Sequence, residues 1–121
     1  MSQQPFSTLK LDSELLDNLA SLGYEFMTPI QEKSLPPILA GQDVIAQGKT
    51  GSGKTAAFGL GLLAKLDTAK LQIQSLVLCP TRELADQVAK EIRRLARGVP
   101  NVKVLALSGG KPFRTQAESL E

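Results

Sequence analysis

The eight residues Gly48-Lys49-Thr50-Gly51-Ser52-Gly53-Lys54-Thr55 fill every position of the phosphate-binding pattern G-x-x-x-x-G-K-[ST]. Each residue type has a reason to be there. Glycines at 48, 51 and 53 permit a loop tight enough to turn several backbone N–H groups toward one anion. A helix starting immediately afterwards, at Ala56-Ala57-Phe58-Gly59-Leu60, adds unpaired N–H donors and the positive end of its dipole. Lys54 is placed to reach terminal phosphates, and the Thr55 hydroxyl to ligate Mg²⁺. A plain Gly/Ser turn requires no Lys-Thr pair at that offset.

Composition narrows the remaining chemistry. With 121 residues, 42% hydrophobic and 21% charged, the chain has the size and balance of one globular domain or part of one. It has no histidine, which removes imidazole-assisted nucleophiles and zinc-metalloprotease motifs. Its single cysteine, Cys79, lies in the apolar run Leu76-Val77-Leu78-Cys79 and reads as a buried thiol. A net charge of +2 tolerates a nucleic-acid partner without demanding one. No apolar run approaches membrane-spanning length, and the start MSQQPF lacks a basic-then-apolar leader, so a cytoplasmic location with no membrane partner is expected.

Positioning elements follow from periodicity. Leu15, Leu16, Leu19 and Leu22 have helical spacing between a cap at Asp12 and a stop at Gly23. A short helix begins at Thr28-Pro29, with Thr28 as cap and Pro29 at the first helical position, and Pro36-Pro37 is expected to interrupt it. Val44-Ile45-Ala46 reads as the strand entering the phosphate loop. Ala57, Phe58, Leu60, Leu62, Leu63 and Leu66 surround the next helix on most sides, the mark of a buried element. Residues 75–79 read as a second strand, and residues 82–97 as a helix with a Leu84, Val88, Ile92, Leu95 stripe. Residues 102–107 read as a third strand, with a short helix from Pro112 onward. This βαβαβ alternation implies an α/β fold with a parallel sheet and ligands at the carboxyl ends of its strands. The expected division is an N-terminal arm with helices over residues 1–41 and a phosphate-loop domain over 42–121.

Two further segments share that edge. One is Phe6 followed seventeen residues later by Gly23-Tyr24-Glu25-Phe26-Met27-Thr28-Pro29-Ile30-Gln31, and the other is Pro80-Thr81-Arg82-Glu83-Leu84-Ala85. Together with the phosphate loop and Gly109-Gly110, these motifs, in this order, resemble the first part of the N-terminal helicase domain of DEAD-box RNA helicases, closest to the bacterial DbpA branch that acts on ribosomal RNA. The resemblance spans essentially the whole chain. It implies a RecA-like, three-layer α/β/α P-loop NTPase fold, incomplete over this length, and an ATP-dependent enzyme that remodels or unwinds RNA, linked to ribosome assembly.

The resemblance also implies residue roles. Phe6, Tyr24, Phe26, Thr28 and Gln31 correspond to the adenine-reading Q motif. Gly48, Lys49, Thr50, Gly51, Ser52, Gly53, Lys54, Thr55 and Ala56 correspond to the ATP phosphate site, with Lys54 and Thr55 as the catalytic pair and Thr55 on Mg²⁺. Pro80, Thr81, Arg82, Gly109 and Gly110 correspond to contacts with the RNA backbone, independent of base sequence. Met27 stands where the family usually has Pro, and Gly48 where it often has Ala; neither change removes a functional atom, so both are expected to be tolerated.

Several residues keep a second reading. The Gln31 amide can pair with adenine in two hydrogen bonds, but Thr28-x-x-Gln31 is also a capping box. Phe6 can stack on a base or pack on the core from a loose arm. Thr81 and Arg82 can receive an RNA phosphate, or Thr81 can be only an N-cap while Arg82 pairs with Glu83 or Asp86. Gly109-Gly110 can admit a sugar-phosphate chain or form a plain turn. Lys90, Arg93, Arg94 and Arg97 are read as a solvated helix face rather than an RNA patch.

Hydrolysis needs an acid at the end of a second strand to hold Mg²⁺ and another to orient water. Strand two ends in Cys79-Pro80 and strand three in Leu107-Ser108, so these 121 residues alone are expected to bind adenine nucleotide weakly without hydrolysing it. In the family's fold, further strands lie between the phosphate-loop strand and the one leading to Pro80. Their absence over this length predicts exposed strand edges and a possible route to self-association. A GTPase or kinase lacks support, since no Asn-Lys-x-Asp element occurs and Gln31 favours adenine. A DNA helicase and a truncated, non-enzymatic nucleotide- or RNA-binding module remain as alternatives.

Overall fold

The computed structural model describes residues 3–109 and 113–120. Gly110 and Pro112, both singled out above, lie outside the described residues. Among the described residues five α-helices are formed, α1 (Ser13–Ser21), α2 (Pro29–Leu39), α3 (Lys54–Ala64), α4 (Arg82–Leu95) and α5 (Phe113–Ser119), with a short 3-10 helix at Phe6–Thr8 ahead of them. None among the described residues is long and apolar enough to cross a membrane.

Helix α3 is the centre of the packing, with α2 against one side and α4 against the other, while α1 rests on α4. Its apolar circumference explains this: Ala56, Ala57, Leu60 and Leu63 are all buried, and Phe58 and Leu62 pack at the margin. Gly59 and Gly61 leave its flanks nearly smooth. A Cβ at Gly59 would stand 3.1 Å from Leu95 Cδ1, and one at Gly61 would run into Ile38. Leu15 and Leu19 of α1 and Val88, Ile92 and Leu95 of α4 complete the core. Leu84, expected on that stripe, stands at the exposed first turn of α4.

Helix α1 matches its sequence signals, with Asp12 as N-cap and Gly23 at φ 86° just past its end. Asn18 then reaches across to α4, its Nδ2 donating to the carbonyls of Arg94 at 2.8 Å and Leu95 at 3.0 Å. One side chain thus adds a donor to two carbonyls at a helix C-terminus.

Helix α2 departs from expectation. Pro36 and Pro37 do not interrupt it; the helix continues through both to Leu39. Two internal prolines normally disfavour a helix by about 3 kcal/mol each. Here Leu35, completely buried, and Ile38, close against Gly61, fix this stretch on α3. The Pro36 carbonyl still accepts from Ala40 and the Pro37 carbonyl from Gln42, which closes the last turn.

The arm is not loose. Pro5 bridges antiparallel to Phe26, Gln4 O accepts from Met27 N–H at 2.8 Å, and Phe6 N–H donates to Glu25 O at 3.2 Å. Gln4 N–H also reaches Glu32 Oε1 at 2.8 Å. These bonds lay residues 4–6 along residues 25–27.

The three expected strands also depart from expectation. Residues 44–46, 75–79 and 102–107 form no ladder with one another, and no strand is assigned among the described residues. Their side chains keep the period of two: Val102 and Val104 pack on the core while Leu105 and Leu107 face outward. Ile45 is 98% exposed, and Leu76 and Leu78 are 78% and 84% exposed, as apolar strand faces are when neighbouring strands are not beside them. Residues 102–109 are held instead by helices. Arg93 donates to Val104 O at 2.9 Å, and the Gln116 amide of α5 bonds both the N–H and the C=O of Ser108.

Candidate nucleotide site

The loop before α3 folds as its glycines allow. Gly51 has φ 84° and Gly53 φ 91°, conformations that side chains strain, and Gly53 is the N-cap of α3. Helix α3 carries no acidic residue in its first turn, so its dipole and free N–H groups face the loop without a competing carboxylate. Ala46, Gln47, Gly48, Lys49 and Lys54 line an open recess of ≈ 520 Å³. Lys54 is exposed at its edge, Thr55 half-buried and Ala56 buried. Lys49 and Thr50 are exposed.

The segment leading into α2 is fastened to this loop at two successive carbonyls. Thr28 Oγ1 donates to Ser52 O at 2.7 Å, and Gln31 Nε2 donates to Gly53 O at 3.1 Å. Gln31 Oε1 accepts from Thr28 N–H at 2.9 Å, which forms part of the capping box. Only 2% of Gln31 is exposed. The capping role therefore exists, and it operates beside a second role that sequence alone did not show. Oε1 keeps a second lone pair and Nε2 a second N–H for another partner. A Cβ on Gly53 would collide with the Gln31 amide and lie 3.0 Å from Thr28 Oγ1, so the fastening requires glycine at 53.

The aromatic residues divide. Phe6 is buried at 2% exposure, its ring 6.0 Å from that of Tyr24 at an interplanar angle of 85°. It packs in the core rather than presenting a face for stacking. Phe26, 47% exposed, is the aromatic of this segment most open to solvent. Met27 is buried.

Tyr24 ties the segment to α4. Its hydroxyl donates to Glu91 Oε1, and Glu91 Oε2 pairs with Arg94 at 2.9 Å. Burial, then the hydrogen bond and negative charge of Glu91, raise the Tyr24 pKa above 10.0, with Arg94 opposing. The folded state therefore holds this proton more tightly than the unfolded chain. Its stabilisation is complete below about pH 10 and declines as pH rises through the raised value. Urea midpoints measured from about pH 8 to pH 11 should fall more steeply for the wild type than for Tyr24→Phe. Equal slopes would show that this hydroxyl does not govern the alkaline limb.

At the other predicted site, Thr81 caps α4, its Oγ1 accepting from Leu84 N–H at 3.1 Å. Arg82 pairs with neither Glu83 nor Asp86; its Nη1 donates to Gly109 O at 3.3 Å. Pro80, Thr81, Arg82 and Gly109 are thus exposed together, two turns 27 residues apart joined by one guanidinium. No local pattern signals that pairing, or the pairing of Tyr24 with Glu91. On the basic face, Arg93 and Arg94 are engaged with Val104 O and Glu91, while Lys90 and Arg97 are exposed.

Comparison with known proteins places this geometry. The family model described as DEAD/DEAH box helicase matches residues 28–121. The chain is 63% identical over 117 residues to the ATP-dependent RNA helicase DbpA of Escherichia coli (strain K12), covering 96% of this chain and 26% of that protein. It is 46% identical to the ATP-dependent RNA helicase CshA of Limosilactobacillus reuteri, covering 96% of this chain and 23% of the relative. The chain thus spans about a quarter of the length of these relatives. Among solved structures, a DEAD box protein from the hyperthermophile Methanococcus jannaschii superposes with a TM-score of 0.92 at 37% identity, over 100% of this chain and 33% of that one. The RNA helicase Prp28 from Chaetomium thermophilum bound to ADP superposes at 0.80 with 36% identity, over 99% and 30%. The architecture is therefore the first part of a RecA-like α/β helicase domain, here with its strand segments unpaired. The order of motifs, the loop-to-α2 fastening and these matches lead to one conclusion: the chain belongs to the DEAD/DEAH box helicase family.

Proposed function

We propose that these residues are the ATP-binding portion of an ATP-dependent RNA helicase. The observation that carries the reading is the double fastening of Thr28 and Gln31 to the Ser52 and Gly53 carbonyls. It sets a buried amide with spare donor and acceptor capacity beside a phosphate-binding loop, so that base and phosphates would be held by one unit. The residues present fit a nucleotide and its Mg²⁺. Gly48 and Gly53 stand where an added Cβ would collide, the Ser52 hydroxyl is buried without a partner, and Lys54 stands at the recess. Backbone N–H groups between 48 and 55 and Lys54 would hold the phosphates, Gln31 the adenine, and Thr55 the Mg²⁺, which supplies charge neutralisation between phosphates. Phe26 has the exposure to lie against the base; Phe6 would have to leave the core to do so.

RNA contact is assigned to Pro80, Thr81, Arg82 and Gly109, which would touch phosphate and sugar rather than base edges. The motif resemblance set out above extends this proposal to ribosomal RNA as the target class and to a cytoplasmic setting, while the name of the 63% identical relative supports RNA as the substrate class. The 121 residues alone are expected to bind nucleotide without turning it over, because neither the 75–79 nor the 102–107 segment is followed directly by an acid. Exposed Ile45, Leu76 and Leu78 supply the surface for self-association at high concentration.

Titration with ATP·Mg²⁺ and GTP·Mg²⁺, followed by amide resonances of residues 48–55, tests the reading. ATP should shift them and protect the fold, and GTP should do so far less. Unmoved resonances in a folded sample would overturn it.

A further inference from the structure

The segment from Tyr24 to Gln31 is pinned at both ends. Its far end is the pair of bonds from Thr28 and Gln31 to the phosphate loop. Its near end is Tyr24, next to the Gly23 that stops α1, and Tyr24 is held from three directions. The Tyr24 N–H donates to Leu19 O at 2.9 Å, its ring meets that of Phe6 edge-on, and its hydroxyl donates to Glu91 Oε1. Glu91 is itself steadied: Oε2 pairs with Arg94 one turn along α4, and only 20% of its side chain is exposed. Residues 25–27, between the two anchors, are tied by backbone bonds to residues 4–6, and that arm leans on Tyr24 through Phe6.

We propose that Glu91, acting through Tyr24, is a positioning residue for the base half of the nucleotide site. The inference rests on the nucleotide-site reading above. A base is recognised only when the Gln31 amide and the Phe26 ring stand at a fixed distance from the phosphate loop. Thr28 and Gln31 fix one end of the segment and leave it able to pivot about the loop. The Tyr24 hydroxyl removes that freedom by fixing the other end on α4, which packs on α3, the helix that carries Lys54. A segment already held in place has less freedom to lose when ligand arrives, so binding is tighter. A carboxylate suits the post, because its two oxygens accept from Tyr24 and Arg94 at once. Asn18 supplies the contrast. It too ties the N-terminal region to α4, at the Arg94 and Leu95 carbonyls, but from within α1, ahead of the Gly23 stop. If the Glu91 tie added only stability, loosening either tie would have the same consequence.

Amide resonances of residues 48–55, followed through titrations with Mg·ADP and with Mg·pyrophosphate, separate the two halves of the site, since pyrophosphate carries no base. Glu91→Ala should weaken Mg·ADP roughly three- to tenfold, the range for one lost hydrogen bond, and leave Mg·pyrophosphate within about twofold of the wild type. Tyr24→Phe should do the same, and the two changes together no more than either alone, because they remove one bond. Glu91→Gln keeps an oxygen for the Tyr24 hydroxyl and should hold Mg·ADP within about twofold of the wild type. Asn18→Ala should lower the thermal midpoint and change neither affinity. If Glu91→Ala, folded by circular dichroism, binds Mg·ADP as the wild type does, or loses Mg·pyrophosphate in equal proportion, the positioning role is overturned while the nucleotide site stands. Should Glu91→Ala fail to fold, Tyr24→Phe decides by the same two outcomes. If the folded wild type binds neither ligand, the nucleotide site falls and the positioning role with it.

Discussion

Replacing Lys54 with alanine is expected to weaken Mg·ADP binding roughly 100-fold, the loss typical of a charge-assisted contact to an anion. Lys54 opens α3 at the edge of the recess and is exposed, so its removal takes away an ammonium without disturbing the core. The thermal midpoint without nucleotide should therefore stay within about 2 °C of the wild type, as for other exposed substitutions. Only the nucleotide-dependent rise in midpoint should disappear, since stabilisation by a ligand follows its concentration relative to Kd. An affinity within threefold of the wild type would place the phosphates away from this lysine. Lys49, which lines the same recess but lies outside the first turn of α3, is the matched control and should lose much less.

Gly53→Ala should do the opposite, damaging the fold as well as the site. The left-handed backbone at φ 91° costs an alanine about 1–2 kcal/mol. The new Cβ would also displace the Gln31 amide, stranding polar groups that are buried around it, for a further 1–3 kcal/mol or so. Together these predict a loss on the order of 10 °C in thermal midpoint. The same change should uncouple the start of α2 from the loop, so amide resonances of both Thr28 and Gln31 should move. Gln31→Ala alone removes the hydrogen bonds without the backbone strain, and it should fall between wild type and Gly53→Ala. A Gly53→Ala protein as stable as the wild type would mean that the loop relaxes elsewhere and that the fastening contributes little.

Where the sequence could be read, the signal was local. Asp12 and Gly23 mark the ends of α1, Thr28-Pro29 the start of α2, and the apolar circumference of the 54–64 stretch its central place. Each rests on groups within a few residues of one another. Thr28-x-x-Gln31 showed its cap for the same reason. Its bond to the Gly53 carbonyl, 22 residues away, had no local mark. Tyr24 and Glu91 are 67 residues apart, and Asn18 and Arg94 are 76 apart; both pairs depend on how α1 and α4 come together. At Pro36 and Pro37 a sound local rule failed because burial of Leu35 against α3 outweighs two missing donors. The strand segments show the complementary limit. Alternation along 102–107 revealed which side chains face inward, but a ladder depends on which segments lie alongside, and no single segment carries that information.

The smooth flanks of α3 constrain how the site can move. With Gly59 and Gly61 lying flush against Leu95 and Ile38, that rod has no side-chain cushion at these two points, which opposes sliding or rolling past them. Rearrangement on ligand arrival is therefore expected first in the handful of residues ahead of Lys54, hinging on a fixed post. Such a short hinge should respond in nanoseconds to microseconds, far faster than a shift of packed helices.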